Sequence, residues 1–345
     1  MTDQHQADDG RLGLALVREM EQLTAWRTQD ETLSNVQRNL DYRHYGQSLK
    51  MLAQQSLGDD DRALVIAAGP SVKRQNPAQM ILGADFKGAV IATESAMLYC
   101  LRNGIIPDLV VTVDPHASRI VRWFGDPDLT DHHLRQDDYF SRQDMDEQFA
   151  NQMRANEDVY KLVNQYGPRM KIALSTSASE KVVKRVIEAG MDIYWWNPML
   201  DDPDQEQSIS RKMMQLNGFP SMNAGGNVGT ACWMMADAVL RKQDIGIVGM
   251  DFGYYAEVPY QQTQYYYELV DLVGEANLDS VFMKVFNPHL QQWFYTDPAY
   301  MWYRQSFLEL VENTESQTFN CTEGGILFGD KVKFIKLVEF LHKTY

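Results

Sequence analysis

Short apolar runs of strand length recur along the chain, each followed by a stretch long enough for a helix, and this alternation restricts the fold more than any other feature. The runs lie at residues 63–67, 89–93, 109–113, 171–174, 192–196, 245–248 and 318–320. They are rich in Val, Ile and Leu and lack the apolar-polar alternation of a strand with one wet face, so both of their faces should be covered. Helix-length segments such as 95–103 and 179–189 separate most of them. Strand, helix and strand repeated in this way predict an α/β chain with a Rossmann-like, mostly parallel sheet and helices on both faces.

Segments outside this alternation define the rest of the organisation. Leu12, Leu16, Met20 and Leu23 recur at spacings of four, four and three, and a similar pattern runs over 32–52. Residues 1–58 are therefore expected as a helical N-terminal arm ahead of the Rossmann-like domain over 59–345. Two insertions are expected in that domain. One, near 125–166, carries Asp126, Asp128, Asp131, Asp137, Asp138, Asp144, Asp146 and Glu147; the other, 254–300, is rich in aromatics.

Composition excludes several partners. A formal charge of −15 repels a phosphate backbone, and no basic stripe with interleaved aromatics offsets it, so nucleic acid is not an expected partner. Cys100, Cys232 and Cys321 lie far apart without CxxC spacing, which argues against a disulfide framework and a zinc site and fits a reducing cytoplasm. No run of about 18 apolar residues offers a membrane-spanning helix. The polar first 30 residues lack the apolar core of a secretory signal.

In a doubly wound sheet, ligands bind outside the carboxyl ends of the strands, so the residues that follow each strand are the candidates. They are Gly69, Pro70 and Ser71; Thr93, Glu94 and Ser95; Asp114, Pro115 and His116; Ser175, Thr176 and Ser177; Asn197; Asp251; and Cys321, Thr322 and Glu323. Any one of these turns is ordinary loop chemistry. Their gathering at one edge predicts a site, with Gly69–Ser71 as a cradle. The stretch AAGPSV has a single glycine and no GK[ST], which disfavours a dinucleotide fingerprint and a P-loop. A second glycine cluster, MNAGGNVGT at 222–230, lets Gly225 and Gly226 approach a ligand closely. The helix starting near Asn227 directs free amides and its positive dipole end at an anion, while Asn223 and Thr230 add neutral hydrogen bonds. The alternative is that Asn227 is only an N-cap and Gly229 only a packing contact.

Four segments carry a family resemblance: IAAGPSV at 66–72, VIATESAMLYCLRNGIIPDLVVTVDP at 90–115, NAGGNVGTACWMMADAVLRKQDIGIVGMDFGYY at 223–255 and FNCTEGGILFGD at 319–330. In order, spacing and sheet-edge placement they resemble the family of motility accessory factors and 6-hydroxymethylpterin diphosphokinase MptE-like proteins. That family is similar to bacterial sialyltransferases that use CMP-sialic acid. The resemblance implies a nucleotide held by the turn Gly69, Pro70 and Ser71 and by the glycine-rich helix start with Asn223, Gly225, Gly226, Asn227 and Thr230; the sheet-edge residues Thr93, Glu94, Ser95, Asp114, Asp251 and Glu323 are expected to line the same nucleotide site. It also implies tyrosines after the GMD strand that bind the leaving phosphate. Tyr254, Tyr255 and Tyr260 stand there, and Tyr254 and Tyr260 are the expected pair. Where the sialyltransferases place a histidine base, this chain has Thr296 and Asp297, so Asp297, His289 and His116 are the candidate bases.

The function this implies is transfer of a nonulosonic, sialic-acid-like sugar from a CMP donor to a protein or glycan hydroxyl such as flagellin, without a cofactor. Trp293 and Tyr295 are candidates for acceptor contact. A first alternative is a 6-hydroxymethylpterin diphosphokinase using ATP and Mg²⁺, with Asp114, Asp251 and Glu323 as hard oxygen ligands. A second is a nucleotide-binding module without catalysis. The N-terminal arm and both insertions favour the sugar transferase.

Overall fold

The computed structural model describes residues 10–116, 120–130, 132 and 152–345. Asp131, Asp137, Asp138, Asp144, Asp146 and Glu147 of the expected acidic insertion lie outside the described residues. The strands are β1 Gly46–Ser48, β2 Arg62–Ile66, β3 Ala89–Thr93, β4 Leu109–Val111, β5 Lys171–Ser175, β6 Asp192–Met199, β7 Ser221–Asn223, β8 Asp244–Val248, β9 Tyr254–Tyr255, β10 Met283–Asn287, β11 Gln292–Thr296, β12 Gln317–Asn320 and β13 Val332–Phe334. The helices that bear on the site are α1 Arg11–Val17, α2 Met20–Asn39, α3 Pro70–Gln75, α4 Glu94–Arg102, α5 Gln152–Tyr166, α6 Glu180–Glu188, α7 Val228–Met234 and α8 Pro298–Glu312.

Every expected strand forms, and together with β1, β7 and β13 they build one parallel sheet. Its order is β1-β6-β5-β4-β3-β2-β8-β12-β13, with β7 paired to β6. The fold is therefore the expected α/β, Rossmann-like one. β2 is buried at all five residues because helices cover both faces. Along β2, Ala63 and Val65 join one core with Ala89, Ile91, Ile245 and Ile247. Leu64 and Ile66 join the opposite core with Ala92, Val248 and Phe319. Period-two alternation thus survives inside a continuous apolar run. Each aliphatic side chain so buried contributes about 1.5–3 kcal/mol, which is why these runs dominate the layout.

From β2 the chain winds outward through β3, β4, β5 and β6, then returns to build β8, β12 and β13 on the other side of β2. The winding reverses between β2 and β8. In doubly wound sheets, ligands bind outside the carboxyl edge at such a reversal.

The N-terminal residues are more than an appended arm. β1 pairs with β6 at the sheet margin. α2 is clamped across the exits of β4 and β5 by two buried asparagines one helical turn apart. Asn35 Nδ2 donates to Pro115 O (3.1 Å) and Ser177 O (2.8 Å), and Asn39 Nδ2 donates to Thr176 O (2.8 Å) and Ala178 O (2.7 Å). The aromatic excursion folds as a second, antiparallel sheet of order β10-β11-β9. Its pleat sends Tyr255 and Phe294 into the main core and Tyr254 and Tyr295 into a small core with Tyr266 and Phe282. No helix among the described residues is long and apolar enough to cross a membrane.

Candidate functional site at the carboxyl edge

Gly69, Pro70 and Ser71 leave β2 as a tight turn into α3, and the turn does make a cradle. Its occupant is Asp251, from the loop after β8. Ser71 Oγ donates to Asp251 Oδ2 at 2.8 Å, and the Ser71 amide points at the same oxygen from 3.4 Å. The amide of Gly69 donates to Gly249 O and that of Val72 to Gly69 O. Pro70 has no amide proton. The amides of this expected cradle are thus taken up within the chain, and Ser71 is fully buried. A Cβ on Gly69 would overlap the Asp251 carboxylate, which explains the glycine.

Asp251 is itself buried, and burial pushes its pKa up to about 7 against the lowering effect of Ser71 and of the Arg74 charge. Oδ1 is closed to solvent and has no partner. The loop after β12 closes on the same group: a Cβ on Gly324 would lie 2.6 Å from the Tyr255 hydroxyl, 2.8 Å from Ser71 Cβ and 3.0 Å from Asp251 Oδ1.

The three expected phosphate tyrosines separate. Tyr254 stacks between Tyr295 and Tyr300, donates to Asp297 Oδ2 (3.1 Å) and accepts from the Gln264 amide (3.1 Å). Tyr260 lies flat on Phe282 and donates to Asp279. Both are tied into the small core. Tyr255 is the one whose hydroxyl reaches the loop cluster, with the Arg74 guanidinium 3.6 Å above its ring centroid. The reason is the pleat: neighbours on β9 face opposite sides.

The expected bases separate as well. Asp297 caps α8, where Oδ1 accepts from the Tyr300 amide (2.8 Å) and Oδ2 from Tyr254. Burial raises its pKa to about 6, yet both oxygens are already engaged. His289 sits in the β10–β11 turn with its ring stacked on Phe334, centroids 4.7 Å apart and planes 2° from parallel. His116 is half-buried after β4, its amide donating to Asp114 Oδ1 (2.7 Å).

The second bend keeps donors unspent. Gly225 (φ 55°) and Gly226 (φ 76°) turn the chain into α7 in the left-handed region that favours glycine. Asn227 is the N-cap: Oδ1 accepts from the Thr230 amide (2.9 Å), and Nδ2 donates to Gly225 O (3.1 Å) and Thr230 Oγ1 (2.9 Å). Asn223 Oδ1 takes the Gly225 amide (2.9 Å). The side chains of Asn223, Asn227 and Thr230 therefore serve the turn. Among the described residues, the amides of Gly226, Val228 and Gly229 have no acceptor. Trp302 and Tyr303 of α8 wall this bend, for a Cβ on Gly226 would overlap the Trp302 ring.

The two bends share an edge and flank the loop leaving β8. Gly229 faces Met250, and Gly69 faces Asp251, the next residue. Their helices lie on opposite faces of the sheet, Val72 of α3 in one core and Ala231 and Trp233 of α7 in the other.

Between the bends, Thr93 caps α4 by accepting the Ala96 amide (3.1 Å) and pairs with Ser95 Oγ (3.0 Å). Glu94, the first residue of α4, is 4% exposed, and its Oε2 is buried without a partner. Burial first, and then the Asp114 charge, push its pKa up to about 8. Of the rest of the edge, Ser175 pairs with Ser177 and Thr176 with Asn197, and α2 covers their loop.

The magnesium ligands expected from sequence do not gather. Asp114 follows β4 and Asp251 follows β8, with β3 and β2 between them. Three strand spacings of about 4.8 Å keep them roughly 14 Å apart. Glu323 follows β12 and meets α3 through its carbonyl, which accepts from Gln75 Nε2 (3.2 Å). No three His, Cys, Asp or Glu side chains among the described residues lie close enough to hold a metal.

The sequence points to Tyr254 and Tyr260, and to Trp302 as one of several tryptophans able to stack on a base, but carries no signal for Arg74 or Tyr303. Strand alternation in the pair Tyr254–Tyr255 could have signalled which one turns inward. Nothing local marks Trp302 of α8 as the wall of the distant bend at Gly226.

The family model for 6-hydroxymethylpterin diphosphokinase MptE-like proteins matches residues 30–257. Among solved structures, the chain is similar to the MAf glycosyltransferase from Magnetospirillum magneticum AMB-1, with 13% identity and a TM-score of 0.50. The alignment covers 81% of this chain and 34% of that one, so the chain spans about a third of that protein's length. At this identity the likeness is one of fold. A comparison with curated proteins gives no match.

Proposed function

We propose, from the premise that this chain belongs to the 6-hydroxymethylpterin diphosphokinase MptE-like family, that it is a transferase moving a nonulosonic sugar from a CMP donor to a protein or glycan hydroxyl. The family and the structural neighbour support a transferase-like role; the donor, the sugar and the acceptor are our reading. The observation that carries it is the second bend, where the unspent amides of Gly226, Val228 and Gly229 stand at the carboxyl edge beside the winding reversal.

Departure of the sugar builds charge on the donor's phosphate oxygens. Backbone amides and the neutral Tyr255 hydroxyl stabilise that charge without a metal. Burial holds the Tyr255 phenol up at about 12, so it remains a donor across the physiological range. Asp251, Ser71 and the glycines packed around them, Gly69 and Gly324, fix the loops on which Tyr255 stands. A reducing cytoplasm suits the three buried, unpaired cysteines, and flagellin is an acceptor of the right chemical kind.

The family's description favours a second reading, transfer of a diphosphate to 6-hydroxymethylpterin. One experiment separates the two. Thermal-shift titrations of the full chain with CMP, CMP-sialic acid, ATP and 6-hydroxymethylpterin, each with and without Mg²⁺, should show stabilisation by CMP alone. The gain should reach about 2.7 kcal/mol at a hundredfold excess over Kd. Gly226→Val should abolish it. A response to ATP only when Mg²⁺ is present supports the diphosphokinase instead. CMP binding without turnover of CMP-sialic acid or any acceptor indicates a non-catalytic module. No response to any ligand sinks the nucleotide reading.

A further inference from the structure

The loops after β2, β8 and β12 meet on a single carboxyl. Ser71 Oγ donates to Asp251 Oδ2 at 2.8 Å, and the Ile326 amide donates to Asp251 O at 2.7 Å. A Cβ on Gly69 would lie 2.0 Å from Oδ2, one on Gly324 3.0 Å from Oδ1 and one on Gly325 2.2 Å from Asp251 O. Asp251 is 2% exposed, and Oδ1, although sealed, has no donor. A neutral acid tolerates that enclosure. A carboxylate with an oxygen left bare does not, because losing water costs an ion far more than it costs a neutral polar group.

Two of these loops are also held under strain. Phe252, next to Asp251, and Glu323, next to Gly324, stand at φ 50° and 51°, in the left-handed region that side chains disfavour. Such conformations persist only where neighbouring contacts impose them, and both residues adjoin the closure around Asp251. Opening it lets them relax.

Among the described residues, no cation pairs with the enclosed acid. Arg74 of α3 spreads its guanidinium 3.6 Å above the Tyr255 ring and pairs with Glu257 instead. Tyr255 of β9 sets a neutral hydroxyl against Gly324, and Glu323, on the loop after β12, engages α3 through its carbonyl.

We propose that Asp251 is a proton-operated latch: the three loops close on its neutral acid and loosen together when it ionises, releasing Gly324 from the Tyr255 hydroxyl. The inference stands on this cluster and is independent of the sugar-transfer reading. In the step, the Asp251 O–H bond breaks, its proton passes to water, and water entering the loosened loops donates to Oδ1. Burial pushes the closed acid up to about 7 against the lowering effect of Ser71 and then of Arg74. In the open loop it returns to about 4. Closure is therefore fully favoured below about pH 4, weakens by up to about tenfold per pH unit between there and pH 7, and is level above, where Asp251 is ionised in both states.

Amide exchange of the full chain, followed by NMR from pH 5 to 9 and corrected for intrinsic rates, tests the latch. Gly69, Val72 and Ile326 report on it, because their amides donate to Gly249 O, Gly69 O and Asp251 O. Their protection should fall together by about 50-fold from pH 5 to 7 and level off by pH 8. In Asp251→Asn the three amides should show no such step. Constant protection in wild type, a fall at one or two of the three, or the same fall in Asp251→Asn overturns the proposal.

Should that variant not fold, the wild-type carboxyl carbon-13 signal of Asp251, assigned through its own backbone, decides. A midpoint near pH 7, with the Gly324 and Tyr255 amides following the same curve, supports the latch. A midpoint below pH 5, or amides that ignore the titration, overturns it.

Discussion

Three buried carboxyls at this edge depart from ordinary acid behaviour for one reason with three outcomes. Asp251 has one oxygen bonded and one orphaned, Asp297 has both bonded, and Glu94 has Oε2 left over. Burial raises all three, to about 7, 6 and 8. The consequence for stability has a definite sign. Each acid holds its proton in the folded chain at pH values where the unfolded chain has released it. Folding is therefore most favoured below the unfolded value near 4, and the advantage is lost as pH rises through the folded value. Between pH 6 and 9 the difference between Glu94→Gln and wild type isolates Glu94. The amide cannot ionise, so urea titrations should find the variant gaining on wild type as pH rises, by a few kcal/mol at pH 9 in order of magnitude. A gap that stays constant across that range means Glu94 is ionised in the folded state throughout.

At the scale of elements, the pleat of a two-residue strand decides which tyrosine can act. Tyr254 and Tyr255 are adjacent in sequence and indistinguishable in type, yet one joins the small aromatic core and the other the loop cluster. Tyr254→Phe removes a donor to buried Asp297 and an acceptor for the Gln264 amide, so it should cost about 1–3 kcal/mol of stability and leave CMP affinity intact. Tyr255→Phe should do the reverse, weakening CMP severalfold with stability nearly unchanged. Denaturant titration and calorimetric binding on the two variants check the pair, and a swapped pattern would place the ligand on the other side of β9. Glycine acts at this scale too. Gly69 and Gly324 are needed because the loops after β2, β8 and β12 approach to van der Waals distance around one carboxylate.

On the scale of the whole molecule, the N-terminal residues close half of the sheet's edge. α2 reaches Pro115, Thr176, Ser177 and Ala178 through Asn35 and Asn39, so the exits of β4 and β5 are roofed, while those of β3, β2 and β8 stand beyond these clamps. Replacing both asparagines with alanine should cost about 2–4 kcal/mol, since three carbonyls lose their side-chain donor and Ala178 O keeps only the long bond from Arg38 (3.5 Å). It should also raise amide exchange in α2 and at 176–178 ahead of the central strands; unchanged exchange there would mean α2 is held by apolar packing alone. The sequence by itself determined the strands, their burial on both faces and the parallel sheet, because apolar runs and helix-length spacers are local and additive over short windows. It also located the carboxyl-edge loops and both glycine bends. It did not reveal that Asp251, 180 residues from Ser71, fills the first bend, that β9 turns Tyr254 away, or that Asp297 and His289 are spent on a cap and a stack. Each of those outcomes depends on which distant group arrives first at a donor or a ring, and only the packed chain brings those groups within 3–5 Å of one another.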